Sequence, residues 1–328
     1  MHHILVSKLS PPDAAAHAAR ALSLQGQVRL LASERDLTFL LDAGNERRCI
    51  LKICHPDETA EMTTLQLHAL SHLKNTAPAL PVPRILANQS LTYADGLTRE
   101  TYALSWLPGT PLHERHGGAA QAFALGQMMA EMARALSTLS APLKAPQQVW
   151  DISNALDIAP KLDGLSSSLR TQVEPVLEEF AAIVKPSLAR LPAQLIHNDF
   201  NPHNLFVDEE DPAHITGVID FGDIALAPRV NDLAVALSYR LPHAALRDTI
   251  PDWLAGYENI SPLTEAERRL LPRLIRTRMA MTVTIASWRV RQTPQNAAYI
   301  LRYRDGAMRC LAAGNDVFNG LFSRTHHG

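Results

Sequence analysis

The sequence predicts an α+β protein in two parts, a small antiparallel-sheet lobe over residues 1–107 and a larger, mainly helical lobe over 108–328. Three observations lead there. The first hundred residues carry short alternating runs broken by turn residues, with only two helical stretches among them. Beyond Pro108-Gly109 the apolar positions recur at helical spacing almost throughout. The exception is 195–223, where the β-like runs LFV and ITGVID bracket a polar loop. With 328 residues, 46% of them hydrophobic, the chain can bury one large core or two closely packed ones.

A first helix is expected over Pro11–Leu24, opened by two prolines and continued by alanines. Strands follow at Gln27–Leu31, Leu37–Asp42 and Arg48–Ile53, a meander whose turns hold Ser33-Glu34-Arg35-Asp36 and Ala43-Gly44-Asn45. Met62, Leu65, Ala69, Leu70 and Leu73 mark a helix over Thr59–Leu73. The proline-rich PALPVPRI is a connector, and Arg84–Ala87 and Thr101–Leu107 read as two more strands. Helices are then expected at Ala119–Ser140, Leu165–Val184, Asp232–Ser238, Ala244–Tyr257, Thr264–Leu274 and Thr277–Arg289.

Composition narrows the function. Lysine and arginine total 31 against 33 acidic residues, a net charge of -2, which gives no long-range attraction to nucleic acid. The three cysteines, Cys49, Cys54 and Cys310, cannot all pair within one chain and lack CxxC spacing, as expected of a reducing compartment. The start, MHHILVSKLSPPD, does not read as a signal peptide, and no later run reaches membrane-spanning length. A cytoplasmic protein without nucleic-acid or membrane partners is expected; a homodimer is compatible with the sequence.

The densest polar information lies in LIHNDFNPHNLFVDEEDPAHITGVIDFGD. An apolar run leads His197, Asp199 and Asn204 into a loop, and a second strand ends at Asp220, which gathers four polar side chains around one mouth. Asn204 and Asp220 offer the hard oxygens that Mg2+ prefers, and Asp199 can take a proton from a hydroxyl. His197, His203 and His214 also leave a zinc site open, although no ligand pair at helical spacing supports it.

The segments His197-Asn-Asp199-Phe-Asn-Pro-His-Asn204 and Ile219-Asp220-Phe221-Gly222-Asp223 resemble the catalytic and metal-binding segments of the aminoglycoside phosphotransferase and choline kinase superfamily. A lone His-x-Asp pair is weak; both segments in order, separated by a short strand–turn–strand, are strong. The resemblance covers roughly residues 26–300 and implies a protein-kinase-like fold. It implies that Asp199 orients or deprotonates the acceptor hydroxyl, that Asn204 and Asp220 hold the Mg2+ of ATP, and that His197 braces the loop more than it moves protons. Positioning and charge neutralisation carry phosphoryl transfer.

In the small lobe Lys52 lies in CILKI, an alternating strand that can aim one cation at phosphate, and by the resemblance it contacts ATP. Its helix partner stays open between Gln66, where the family has glutamate, and Glu61 a turn earlier. LLASERDLTFLL has no GxGxxG, so backbone amides with Ser33 or Arg35 are expected at the phosphates, and the segment is similar to that of the hydroxylysine kinase-like branch. YALSWLPGTPL resembles the adenine-binding strand, with Ser105, Trp106 and Leu107 at the base; taken alone, Trp106 reads as core more often than as a cofactor contact.

IASWRVRQTPQN resembles the C-terminal helix of that branch, with Ser287, Trp288 and Arg289 edging the acceptor pocket. Arg289 can hold an amino-acid carboxylate or merely solubilise a helix face. Asp223 and Asp232 are candidates for an ammonium group, Asp232 also for a helix cap, and Trp150 and Asp151 for the same cleft. The leading reading is an ATP- and Mg2+-dependent kinase for the hydroxyl of an amino acid or amino alcohol, hydroxylysine-like or homoserine-like. The rivals are choline or ethanolamine kinase, aminoglycoside phosphotransferase, and a non-catalytic nucleotide-binding pseudokinase, which the atypical Gln66 would favour. Aromatics at only 5% argue against a cage for choline.

Overall fold

The computed structural model describes residues 9–33, 36–44, 47–139, 148–314 and 316–319. The chain divides into two compact units, Met1–Pro108 and Gly109–Gly328.

In the first unit, helix α1 (Pro11–Ala21) precedes strands β1 (Gln27–Leu31), β2 (Leu37–Asp42) and β3 (Arg48–Ile53). Helix α2 (Ala60–Thr76) and strands β4 (Ile85–Thr92) and β5 (Thr98–Ser105) complete it. The strands form one antiparallel sheet in the order β1-β2-β3-β5-β4. Period-two burial decides its faces: Cys49, Leu51 and Ile53 of β3 turn inward and pack with Phe39, Leu41 and the alanines 14, 15 and 18 of α1. Lys52 is thereby turned to the opposite face. Thr59 caps α2 by accepting from the Met62 amide. β4 and β5 are longer than the two short strands the sequence predicts. The polar run Asn88-Gln89-Ser90 conceals the end of β4, and a turn carrying Gly96 at φ 79° joins the pair.

The second unit opens with β6 (Thr110–Pro111) and α3 (Ala119–Leu136), then a 3-10 segment at Ile152–Gly164. Helix α4 (Ser167–Glu179) continues through a π turn, Phe180–Val184, into α5 (Lys185–Leu188). Next come β7 (Ala193–Ile196), β8 (Leu205–Val207), β9 (Ile215–Val218) and β10 (Ala225–Pro228), which pair as β10-β7 and β6-β8-β9. The remainder is helical: α6 (Val230–Arg240), α7 (Ala244–Arg247), α8 (Ile250–Ile260), α9 (Glu265–Gln292), α10 (Ala297–Leu301), α11 (Arg304–Ala312) and α12 (Asp316–Asn319). No described helix is long and apolar enough to cross a membrane.

Two helix expectations are corrected. The helix expected over Ala244–Tyr257 is two, because Pro251 starts α8 in its first turn. Conversely, the pair expected at Thr264–Leu274 and Thr277–Arg289 is a single helix of 28 residues, started by a capping box between Thr264 and Glu267. Its cationic stretch looks like a break, but Arg273 and Arg276 both pair with Glu179 of α4, so the helix continues through them.

α3 and α8 cross with their backbones in near contact at Gly126 and Gly256. A Cβ on Gly126 would stand 2.1 Å from the Trp253 carbonyl oxygen, and one on Gly256 would stand 2.0 Å from that of Phe123. Neither partner is a side chain that can move aside. Gly126→Ala should therefore force the helices apart and lower stability by about 1–3 kcal/mol, read as a fall in the urea midpoint. An unchanged midpoint would contradict this packing.

Candidate active site

β7 ends at Ile196, and the loop that follows is held group by group. The amides of His197 and Asn198 donate to the two carboxylate oxygens of Asp232 at 3.1 and 2.7 Å. Asn198 takes a left-handed conformation, φ 65°, which asparagine tolerates better than most residues, and its Nδ2 donates to the Asp223 carbonyl at 3.0 Å. The Asp199 amide donates to His197 Nδ1 at 3.2 Å, while Nε2 meets the Ile219 carbonyl at 3.0 Å. These contacts call for the tautomer with its proton on Nε2. Both ring nitrogens are committed to backbone, so His197 ties the loop to Ile219, the residue that follows β9.

Asp199 has two different oxygens. Oδ2 accepts from the side-chain amides of Asn201 and Asn204 at 2.8 and 2.7 Å. Oδ1 has Arg278 Nη2 at 4.0 Å, too long for a hydrogen bond but a close charge. Asn204 spends its Nδ2 on Asp199, and its backbone carbonyl accepts from the Ile219 amide at 2.9 Å. Asp220 follows directly in a left-handed conformation, φ 64°, at the end of β9, where its Oδ1 accepts from the Gly222 amide at 3.3 Å. Such strained backbone is typical of functional loops. The structure thus ties His197, Asp199 and Asn204 together by hydrogen bonds that include the backbone of Ile219, the residue to which Asp220 is joined. Among the described residues no group of three or more His, Cys, Asp or Glu could hold a metal ion, which leaves the expected zinc alternative without a ligand set.

The acceptor-side candidates divide. The Trp150 ring lies 4.8 Å from the Arg278 guanidinium and 5.7 Å from that of Arg289. Asp223 is half-buried, and its charge, with that of Asp199, favours the Arg278 cation. Trp288 is covered instead by Lys161, at 5.2 Å. Asp151 is buried and caps the 3-10 segment by accepting from the Ser153 amide at 2.9 Å; burial pushes its carboxyl up. Asp232 is neither of the things the sequence suggests. It occupies the third position of α6, so it does not cap that helix, and at 2% exposure with both oxygens on loop amides it is turned away from any ammonium group. Burial raises its carboxyl, opposed by those two amides.

In the first unit Lys52 forms an ion pair with Asp36 at 3.2 Å and lies 6.0 Å from the Tyr102 ring, its cross-strand neighbour. Gln66 accepts from the Tyr102 hydroxyl at 3.3 Å and donates to Glu58 at 3.4 Å. Glu61 is exposed in the first turn of α2. Ser33 is exposed, and Arg35 lies outside the described residues. The Ser105 hydroxyl accepts from the Arg84 amide at 2.9 Å, and Leu107 is half-buried. Trp106 lines a cavity of about 340 Å³ with Gln27, Val28, Arg29, Leu40, Asp42 and Arg48.

Sequence reasoning missed Asp36, Asn201 and Arg278. Asp36 and Asn201 carried no signal of their own. Arg278 did: Leu271, Leu274, Arg278, Met281 and Ile285 fall on one helical stripe, all buried, and a cation on such a stripe is out of place unless it has a task.

A family profile described as "Phosphotransferase enzyme family" matches residues 27–271, more than half of the chain. The hydroxylysine kinase of Mus musculus is 25% identical over 277 residues, covering 77% of this chain and 73% of that protein. A solved microcompartment-associated aminopropanol kinase superposes with a TM-score of 0.72 at 20% identity, over 91% of this chain and 98% of that one. An amicoumacin kinase solved with AMP-PNP, Ca2+ and Ami gives 0.72 at 17%, over 94% and 96%. At these identities the structural likeness establishes the fold, the protein-kinase-like one implied by the sequence.

Proposed function

Because the chain belongs to the phosphotransferase enzyme family and is a small-molecule kinase, we propose that it transfers the γ-phosphoryl group of ATP to the hydroxyl of an amino acid or amino alcohol, hydroxylysine-like or homoserine-like, with Mg2+. The observation that carries the chemistry is the asymmetry of Asp199. One oxygen is saturated by Asn201 and Asn204, and the other is left to receive a hydroxyl proton or orient it for in-line attack.

The donor set fits Mg2+: the amide oxygen of Asn204 and the carboxylate of Asp220 are hard ligands held by one backbone bond, and Mg2+ takes few protein ligands when phosphates supply the rest. When bound, the metal offsets the charge on the phosphate oxygens. Lys52, held by Asp36, supplies a cation for the phosphates. Trp106 and its cavity are proposed for the adenine, and Ser33 and Arg35 for the phosphate loop.

The acceptor class rests on the likeness to hydroxylysine kinase and on Arg289, whose guanidinium lies over Trp150 and can bind a carboxylate through two parallel hydrogen bonds. Asp223 is proposed for the ammonium group. The test is Mg2+-dependent ADP formation across 5-hydroxylysine, homoserine, threonine, ethanolamine, choline and an aminoglycoside. Stimulation by a hydroxylated amino acid is expected. Stimulation by choline or the aminoglycoside alone would overturn the carboxylate role of Arg289, and no stimulation by any would overturn the acceptor assignment.

A further inference from the structure

Arg278 is buried to 1% exposure on a helix stripe that is otherwise Leu271, Leu274, Met281 and Ile285. Stability alone would place a hydrophobic residue there, since the desolvation of a buried cation is rarely recovered in full. The guanidinium is not even fully satisfied: its Nε has no hydrogen-bond partner among the described residues. What it does have is a fixed frame. Nη1 donates to the Trp150 carbonyl, Nη2 reaches the Tyr239 hydroxyl at 3.4 Å, and the Trp150 ring lies 4.8 Å from the cation. In that frame Nη2 stands 4.0 Å from Asp199 Oδ1, the oxygen that Asn201 and Asn204 leave open.

We propose that Arg278 is the positioning residue for Asp199. Asn201 and Asn204 fix one oxygen of the carboxylate, and the framed guanidinium fixes the rotation of the other, so that Oδ1 points at the acceptor hydroxyl when the phosphoryl group is in line. The inference rests on the reading of Asp199 as the aspartate that receives the hydroxyl. A planar cation held at three places suits this task, because it confines Oδ1 by charge without occupying its lone pairs. The consequence is an effect on turnover rather than on nucleotide binding, since a small misplacement of an orienting group costs rate steeply.

The test compares wild type with Arg278→Met, Arg278→Lys, Tyr239→Phe and Asp199→Asn, using whichever acceptor stimulates ADP formation. Arg278→Met is expected to keep its melting temperature within a few degrees and its KM for ATP within about twofold, while kcat falls roughly 10²-fold. Arg278→Lys should recover part of that loss, and Tyr239→Phe, which loosens the frame but keeps the cation, should fall by roughly tenfold. In an Asp199→Asn background Arg278→Met should cost little more, because the two residues act as a unit. A folded Arg278→Met enzyme with kcat within about threefold of wild type would overturn the proposal, as would a loss that multiplies fully with that of Asp199→Asn. Should Arg278→Met not fold, Tyr239→Phe decides alone, and unchanged kcat there overturns it. If instead Asp199→Asn itself keeps its kcat, the reading of Asp199 fails, which is a different result from a silent Arg278.

Discussion

Asp199→Asn protein should turn over roughly 10²–10⁴-fold more slowly than wild type, with its affinity for ATP unchanged. The substitution preserves shape and changes one atom. Two amide donors, from Asn201 and Asn204, already point at Oδ2 from 2.8 and 2.7 Å, so the new side chain will turn its remaining oxygen to them. Its NH2 group is then forced into the place of Oδ1, where a donor faces the acceptor hydroxyl and the Arg278 cation. The hydroxyl loses both its proton acceptor and the charge that orients it. Nucleotide contacts proposed for Lys52 and Trp106 belong to the other unit and are untouched. Steady-state kcat on the stimulating acceptor, with ATP binding measured separately by calorimetry, checks the pair of expectations. Retained kcat, or a loss confined to ATP affinity, would contradict the role given to Asp199.

The sequence makes the ends of these arguments legible and hides their middles. β1, β2 and β3 stand at the predicted residues because each is a short apolar run closed by turn residues, and the alternation that buries Cys49, Leu51 and Ile53 is visible directly. The loop from His197 to Asn204 is legible for the same reason, as polar residues delivered by the apolar run that becomes β7. Partners distant in the chain are hidden. Nothing near Asp36 says that it meets Lys52 16 residues later, and nothing near Asp199 says that an arginine on α9 approaches it. The α9 error has the same root. Arg273 and Arg276 break the apolar period only while Glu179, far upstream, is left out of account. Local propensity reads elements well, but it cannot read which charge a tertiary contact will satisfy.

Asp232 sharpens the point, because two roles assigned from sequence predict different magnitudes from the one the structure supports. As a helix cap it would contribute about 0.5–2 kcal/mol, and as an exposed ammonium ligand almost nothing to stability. As built, it accepts from two buried amides, one on each carboxylate oxygen, and holds Asn198 in a left-handed conformation. Asp232→Ala would leave both donors unpaired in the interior and release that backbone, so a loss of about 3–5 kcal/mol is expected, with Asp232→Asn, which keeps one acceptor, losing less. Chemical denaturation of the three proteins measures it. A loss within the cap range would return Asp232 to the role of a helix terminus, and the left-handed turn at Asn198 would then need another support. A loss near the upper figure, with activity per folded molecule falling alongside it, would mean that the geometry of Asp199 is set from beneath the loop by a carboxylate that touches neither nucleotide nor acceptor.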